Sequence, residues 1–240
     1  MAAQASLILI SVFGIFAFLG IPLAVAIVAA ALAAVMLIAP FDMALFTSAQ
    51  KMLASLDSFS LLAVPFFILS GVMMNSGGIA IRLVNFAKLI SGRVPGALAQ
   101  TNIAGNMLFG CISGSAIAAS TSIGGVLVPM QGREGYDRRF AAAVNIVSAP
   151  TGMLIPPTTA FIIYSLVSGG TSIAALFLGG AVAGGLWGLG LMVMTGVIAW
   201  RRGYKSEAGV SASEALRITL EAIPSLFLIV LVIGGIVMGV

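Results

Sequence analysis

Apolar residues run along this chain in long blocks, and the polar positions gather into short clusters between them. A helix needs about 20 apolar residues to cross roughly 30 Å of hydrocarbon. Ala5–Ala39 is about 35 residues, too long for one crossing, and Gly20-Ile21-Pro22 divides it. Phe41–Ser58 mixes Asp42, Lys51 and Asp57 with Met43, Leu45, Phe46, Met52, Leu53 and Leu56, which predicts an amphipathic helix along the membrane surface. Phe59–Ser76 is the next predicted span. Ile79–Ser91, with Arg82 and Lys88, again predicts an interfacial helix.

Val94–Gly132 has no charge over about 39 residues, and one helix of that length would reach about 58 Å. It must fold back, which leaves Arg93 and Arg133 on one side. Phe140–Trp200 is also uncharged and is divided at Ser168-Gly169-Gly170-Thr171. Its first part is broken at Pro150-Thr151-Gly152 and Pro156-Pro157. Ile223–Val240 closes the chain as another apolar segment.

Composition turns this pattern into a class. The chain is 60% apolar and 8% charged, where a soluble domain carries about 25% charged residues. The class is an all-α integral membrane protein, multi-pass, with the lipid bilayer as its surroundings. Basic residues outnumber acidic ones 11 to 7, but they lie in separate clusters and make no single basic face, so nucleic acid is not a partner. One cysteine, Cys111, excludes an internal disulfide, and there is no histidine. No paired carboxylates or serine–lysine dyad lie in the spans, so the chain is not read as an enzyme.

Cytoplasmic loops are enriched in Lys and Arg. The clusters Arg82, Lys88, Arg93; Arg133, Arg138, Arg139; and Arg201, Arg202, Lys205, Arg217 hold every basic residue except Lys51. With Val94–Gly132 folded back, all three share one face, the cytoplasmic one. The amino terminus is outside if Gly20–Pro22 is a turn and inside if it is a kink.

Two stretches depart from simple helix. The first runs from Asn102 through Ser122 and is rich in small and hydroxylic residues. Irregular backbone at membrane depth survives only when buried in protein or lining a wet cavity. The hydroxyls of Ser113 and Ser115 and the freed carbonyls are hard oxygen donors that suit sodium. A hairpin with its tip in water, or small residues packing between helices, is the other reading. The second stretch is Ala149–Thr159, with three prolines and Gly152. Carbonyls opposite the prolines lose their donors and become free to hold an ion. The half-helix that follows points its amino end at the gap, where an anion is favoured, and Thr158 and Thr159 lie there as caps or ligand contacts. A plain proline kink is the alternative. A hairpin followed by a discontinuous helix favours a transporter site. Asn145 either bonds between helices or lines that site.

Val64-Pro-Phe-Phe-Ile-Leu-Ser-Gly71, the Ser113-Gly-Ser115 tip, Gly135-Tyr136 and Gly152-Met-Leu-Ile-Pro-Pro157 occur in this order. As an ordered set they resemble the large permease subunit of TRAP transporters, the tripartite ATP-independent periplasmic transporters, over essentially the whole chain. The resemblance implies an elevator-type secondary transporter of the bacterial inner membrane. Two inverted repeats would each carry a re-entrant helical hairpin and a broken transmembrane helix. It implies sodium-coupled uptake of small organic anions, such as dicarboxylates or sugar acids including sialic acid. Substrate would come from a periplasmic substrate-binding protein, and a small membrane subunit would be the partner.

Carried over by motif, Ser113 and Ser115 contribute to a sodium site completed by the carbonyls of Gly152, Ile155 and Pro157. Ser115 and Thr158, with Asn145, face the substrate. The resemblance also implies a layout. Residues 1–58 are scaffold-type helices with an interfacial arm. Residues 59–168 form a transport-type unit with the hairpin over about 94–132 and the broken helix over about 140–168. A transmembrane helix covers 172–200, and 201–240 form a cytoplasmic link and the first helix of a second repeat. Family members are much longer, so the chain is expected to be a piece holding about half of the machinery. A single-component sodium–carboxylate symporter and a non-transporting membrane scaffold are the alternatives.

Overall fold

The computed structural model describes residues 2–57, 65–66, 69, 72–73, 77–204, 206 and 211–238. Most of the span expected over Phe59–Ser76, and Lys205, lie outside them. Every element named among the described residues is a helix. The chain divides into two compact units, Met1–Phe59 and Ser60–Val240.

In the first unit, α1 (Ala2–Phe18) and α2 (Leu23–Val35) pack against each other across a four-residue turn. Gly20 takes φ +75 there, a conformation that costs a side-chain-bearing residue dearly. The Gly20–Pro22 segment is thus a turn. Ala26, Ala30 and Ala34 fall on one stripe of α2 and are buried, the spacing by which small side chains let apolar helices approach. α3 (Phe41–Leu56) begins after Pro40, with Asp42 in its first turn, where a carboxylate suits the positive end of the helix dipole.

The second unit is built around α5 (Ala97–Ser113), which packs against α4 (Ile79–Ser91), α6 (Ala116–Arg133), α7 (Arg138–Ser148), α8 (Thr151–Leu154) and α10 (Ile173–Arg201). Almost all of α5 is buried. Its core partners include Leu83 and Val84 from α4, Ile123 and Leu127 from α6, and Phe140 and Val144 from α7. α4, expected at the interface, has its apolar face covered by protein. Its apolar stripe, Leu83, Val84 and Ala87, is buried, and Ser91 bonds Thr101 of α5 hydroxyl to hydroxyl at 2.9 Å. An amphipathic pattern shows that one face needs cover, and here α5 provides much of it.

α5 and α6 form a helical hairpin closed at Gly114, whose φ is +59. Neither arm meets the length and apolarity of a membrane-crossing helix; α10 does, and so does Ala212–Gly235 of α11 (Ala212–Met238), with mean hydropathies of 1.8 and 2.2. α7–α8 and α9 (Thr159–Val167) qualify together as one span bent by 53°. The outer surface carries large exposed apolar groups such as Leu186, Val193 and Trp200 on α10 and Val230 on α11. Apolar surface on this scale needs lipid or protein against it.

The α6–α7 loop, the end of α10 and the Gly96 segment meet at one end of this unit. The Tyr204 hydroxyl accepts the Asp137 N–H at 3.0 Å, and the Tyr204 ring stacks on Tyr136 with centroids 4.2 Å apart. Arg202 lies 5.3 Å from the centroid of the Phe140 ring. These contacts join the end of α10 to the α6–α7 loop. Gly96, three residues after Arg93, meets Ala199 so closely that an added Cβ would lie 2.4 Å from the Ala199 Cβ.

Candidate functional site

The hairpin tip and the proline break meet. A Cβ placed on Gly114 would lie 3.3 Å from the Pro157 carbonyl oxygen, 3.4 Å from the Thr158 Cα and 3.6 Å from the Thr159 nitrogen. Lower in the hairpin the approach is backbone on backbone. A Cβ on Gly110 would lie 2.0 Å from the Gly152 Cα, and one on Gly152 would lie 2.5 Å from the Gly110 Cα. Two glycines, one on each side, are what allow the broken helix to lie against the hairpin arm.

Two glycines of α10 seat the other side of the break, and a third meets the hairpin arm. Cβ atoms on Gly180, Gly184 and Gly188 would collide with Phe161 and the Leu154 carbonyl, with Ile155, and with Met107 respectively. Their i, i+4, i+8 spacing puts them on one face of α10.

Pro156 and Pro157 have no N–H to give. The Thr151 carbonyl is taken by the Ile155 N–H at 2.9 Å, and the Pro150 carbonyl by Met153 and Leu154. The carbonyls of Gly152, Ile155 and Pro157 receive no backbone hydrogen bond among those the described residues make. The Met153, Leu154 and Pro156 carbonyls likewise receive none, so the three named by the family resemblance belong to a longer run of unpaired carbonyls.

Two helices start at this junction. Ser115 caps α6, its hydroxyl accepting the Ala118 N–H at 3.3 Å. Thr158 caps α9, its hydroxyl accepting the Ala160 N–H at 3.2 Å. A helix amino end carries roughly half a positive charge in unpaired N–H groups. The two ends come together where Gly114 meets Thr158 and Thr159, and unpaired N–H groups of this kind favour a negative group without any basic side chain. Thr158 is 1% exposed. Ser113 makes only long contacts with the Ser115 backbone, 3.4 Å each, which leaves its oxygen weakly engaged.

Asn145 lies elsewhere. It sits against Gly124, where an added Cβ would fall 2.2 Å from its amide nitrogen. That nitrogen donates to the Ser120 carbonyl and hydroxyl at 3.0 Å each. Its oxygen accepts from Asn106 at 3.2 Å. The Asn102 side-chain oxygen at 3.0 Å and the Ser148 hydroxyl at 2.7 Å lie within reach of the same Asn106 nitrogen, and its two hydrogens are shared among these acceptors. This network ties both hairpin arms to α7. Asn145 thus serves as the interhelical link that was one of its two sequence readings. The structure brings Ser113, Ser115, Pro157 and Thr158 to the tip, with Gly152 beside Gly110.

Sequence reasoning placed Asn102, Asn106 and Gly110 in the irregular stretch without giving them a role, and it missed the α10 glycine face. The α10 spacing was a visible signal. The asparagines on α5 were visible too, but their partners were not. No group of three or more metal-binding His, Cys, Asp or Glu side chains occurs among the described residues, so a cation here would be held by neutral oxygens. Two clefts lie away from the junction. A polar one of about 400 Å³ is bordered by Glu134, Tyr136, Arg202 and Tyr204. An apolar one of about 530 Å³ lies between Ile90, Val94, Gln100, Val193 and Trp200.

An uncharacterized protein, YgiK, of Salmonella typhimurium is 46% identical over 97% of this chain and 54% of its own length. The sialic acid TRAP transporter large permease protein SiaM of Vibrio cholerae is 40% identical over 92% of this chain and 51% of its own. The C4-dicarboxylate TRAP transporter large permease protein DctM of Pseudomonas aeruginosa is 36% identical over 80% and 44%. The chain thus spans about half the length of these relatives. The family model for the DctM component of tripartite ATP-independent periplasmic transporters matches residues 9–240, and the chain belongs to that family.

Proposed function

We propose that this chain forms part of the membrane permease of a sodium-coupled secondary transporter for small organic acids. The carrying observation is the junction where the hairpin tip, the proline break and the amino ends of α6 and α9 meet. Sodium is a hard cation and binds oxygen. The Ser113 and Ser115 hydroxyls with the carbonyls of Gly152, Ile155 and Pro157 offer it five oxygens and no net charge. A bound sodium would add a positive charge beside two positive helix ends. That charge favours a carboxylate at Ser115 and Thr158, which gives a physical basis for coupling. Asn145 takes the role of holding the two arms to α7, not of touching substrate.

In this reading the hairpin and broken helix form the moving part of an elevator in the inner membrane. A periplasmic binding protein delivers the acid, and a small membrane subunit completes the permease. The relatives' names mention sialic acid and C4-dicarboxylates. Both are carboxylates, and a carboxylate is the group that the helix ends suit.

Thermal unfolding of the full-length permease in sodium and in potassium chloride, at equal ionic strength, tests the cation site. A ligand bound only by the folded state stabilises it by about 2.7 kcal/mol at a hundred times its Kd. Sodium should raise the Tm, and S113A/S115A should lose most of that rise. Equal Tm in both salts contradicts the site.

A further inference from the structure

A cleft of about 530 Å³ lies between the end of α4 and the last turns of α10, with Gln100 of α5 in its wall. Its size falls within the range of about 300–1,000 Å³ that ligand sites occupy. Ile90, Val94, Val193, Val197 and Trp200 border it and are exposed. The polar side chains in the wall are already engaged. The Ser91 hydroxyl donates to the Ala87 carbonyl at 2.6 Å, and the Gln100 amide nitrogen donates to the Met192 carbonyl at 2.7 Å. An occupant therefore meets apolar groups along the cleft.

The walls are held by contacts already made. The Gln100–Met192 bond joins α5 to α10, and Gly96 presses against Ala199 below it. Gly196 leaves the space between open, since a Cβ there would meet only the Gln100 amide nitrogen, at 3.1 Å.

Charge enters at one end only. Arg93 directly precedes Val94, and Arg201 directly follows Trp200. The Gly96–Ala199 contact brings these two segments together. Both arginines are exposed, and neither forms an ion pair among the described residues. No acidic residue borders the cleft. An apolar slot with two cations at one end matches an amphiphile that has an anionic head and an apolar tail.

We propose that this cleft binds one anionic phospholipid of the cytoplasmic leaflet, its acyl chain between α4 and α10 and its phosphate at Arg93 and Arg201. Basic pockets between membrane helices on the cytoplasmic side take such headgroups, and guanidinium groups match phosphate oxygens in pairs. Trp200 is 72% exposed beside Arg201, and tryptophan favours the headgroup level of a bilayer. A neutral lipid would leave both arginines without a counter-charge, and free phosphate would leave the apolar slot unfilled. The site lies apart from the hairpin tip and does not depend on sodium binding there.

Thermal melts of the full-length permease in phosphatidylcholine, with and without phosphatidylglycerol, test the headgroup. Phosphatidylglycerol should raise the Tm by about 2–4 °C or more. Arg93→Gln/Arg201→Gln should lose most of that rise, and Arg138→Gln/Arg139→Gln, in another basic cluster, should keep it. No rise in the parent, or equal loss in both variants, overturns the proposal. Phosphatidylglycerol with a photoreactive acyl chain tests the tail on the unaltered protein, so the proposal stays open to refutation even where a variant does not fold. Labelling should fall on the α10 segment from Val193 to Trp200 and drop in Gly196→Leu, which narrows the slot. Absence of label there, or a photoreactive residue at Val197 that captures protein instead of lipid, overturns it and assigns the cleft to another part of the permease.

Discussion

At Gly110 a single methyl group decides whether two parts of the site can touch. The Cβ of Gly110→Ala would fall 2.0 Å from the Gly152 Cα, and backbone cannot swing aside as a flexible side chain can. Overpacking of this kind costs about 1–3 kcal/mol. Gly110→Ala should lower the Tm and sharply reduce uptake, whereas Gly125→Ala on α6, which meets nothing within 4 Å, should change neither; a thermal melt and an uptake assay on both variants check the contrast. Ser115 acts at the same scale in two ways. Ser115→Ala removes the α6 cap, worth about 1 kcal/mol, and takes one oxygen from the proposed cation. Ser115→Asn keeps a capping group but changes its reach. If Asn restores the Tm without restoring sodium dependence of uptake, the two roles are separate. The serines could be picked out in the sequence because hydroxyls in an uncharged apolar run are conspicuous. The Gly110–Gly152 contact could not, since it depends on where two distant segments come to rest.

The bend between α8 and α9 is where sequence chemistry and element geometry coincide. Three prolines and a glycine in Ala149–Thr159 made a break legible, and the structure bends there by 53°. Replacing Pro156 and Pro157 with alanines returns two N–H donors and lifts the steric block, so helix can continue towards Thr159. This variant should be as stable as the parent or more so, and should lose sodium-dependent uptake. A lower Tm with uptake intact would mean that the break is structural only. The hairpin was legible for a different reason: too many uncharged residues for one crossing, with small residues at the middle. α4 shows the limit of such reasoning. Its periodic face was clear, but periodicity does not say whether lipid or a neighbouring helix covers that face. The Asn106–Ser148 bond, across 42 residues, was hidden for the same reason, because a polar residue in a helix names no partner until the helices are packed.

At the scale of the second unit, the basic clusters and the contacts between the loops that carry them predict one shared side. The Arg133–Arg139 loop meets the Arg202 end of α10 through Tyr136, Tyr204 and Phe140, and Gly96 brings the Arg93 end against Ala199. With Cys111 replaced by Ser, single cysteines at the exposed positions Arg93, Glu134 and Arg202 should all react with a membrane-impermeant thiol reagent from the cytoplasmic side. Labelling of any one from the periplasmic side alone contradicts the shared face. The charge tally made this legible, because lysine and arginine counts need no tertiary information. The substrate is a different matter, since the described residues at the junction present only neutral groups and helix ends, which distinguish a carboxylate from a cation and not one acid from another. The central claim is sodium-coupled transport through the junction of hairpin and broken helix. Its most direct test is uptake of labelled organic acids into proteoliposomes that hold the full-length permease with the small membrane subunit and binding protein proposed for it. The account predicts accumulation under an inward sodium gradient, none in a matched potassium gradient, and loss of accumulation in Ser113→Ala/Ser115→Ala. Accumulation that is equal in the two gradients, or unchanged in that variant, would contradict it.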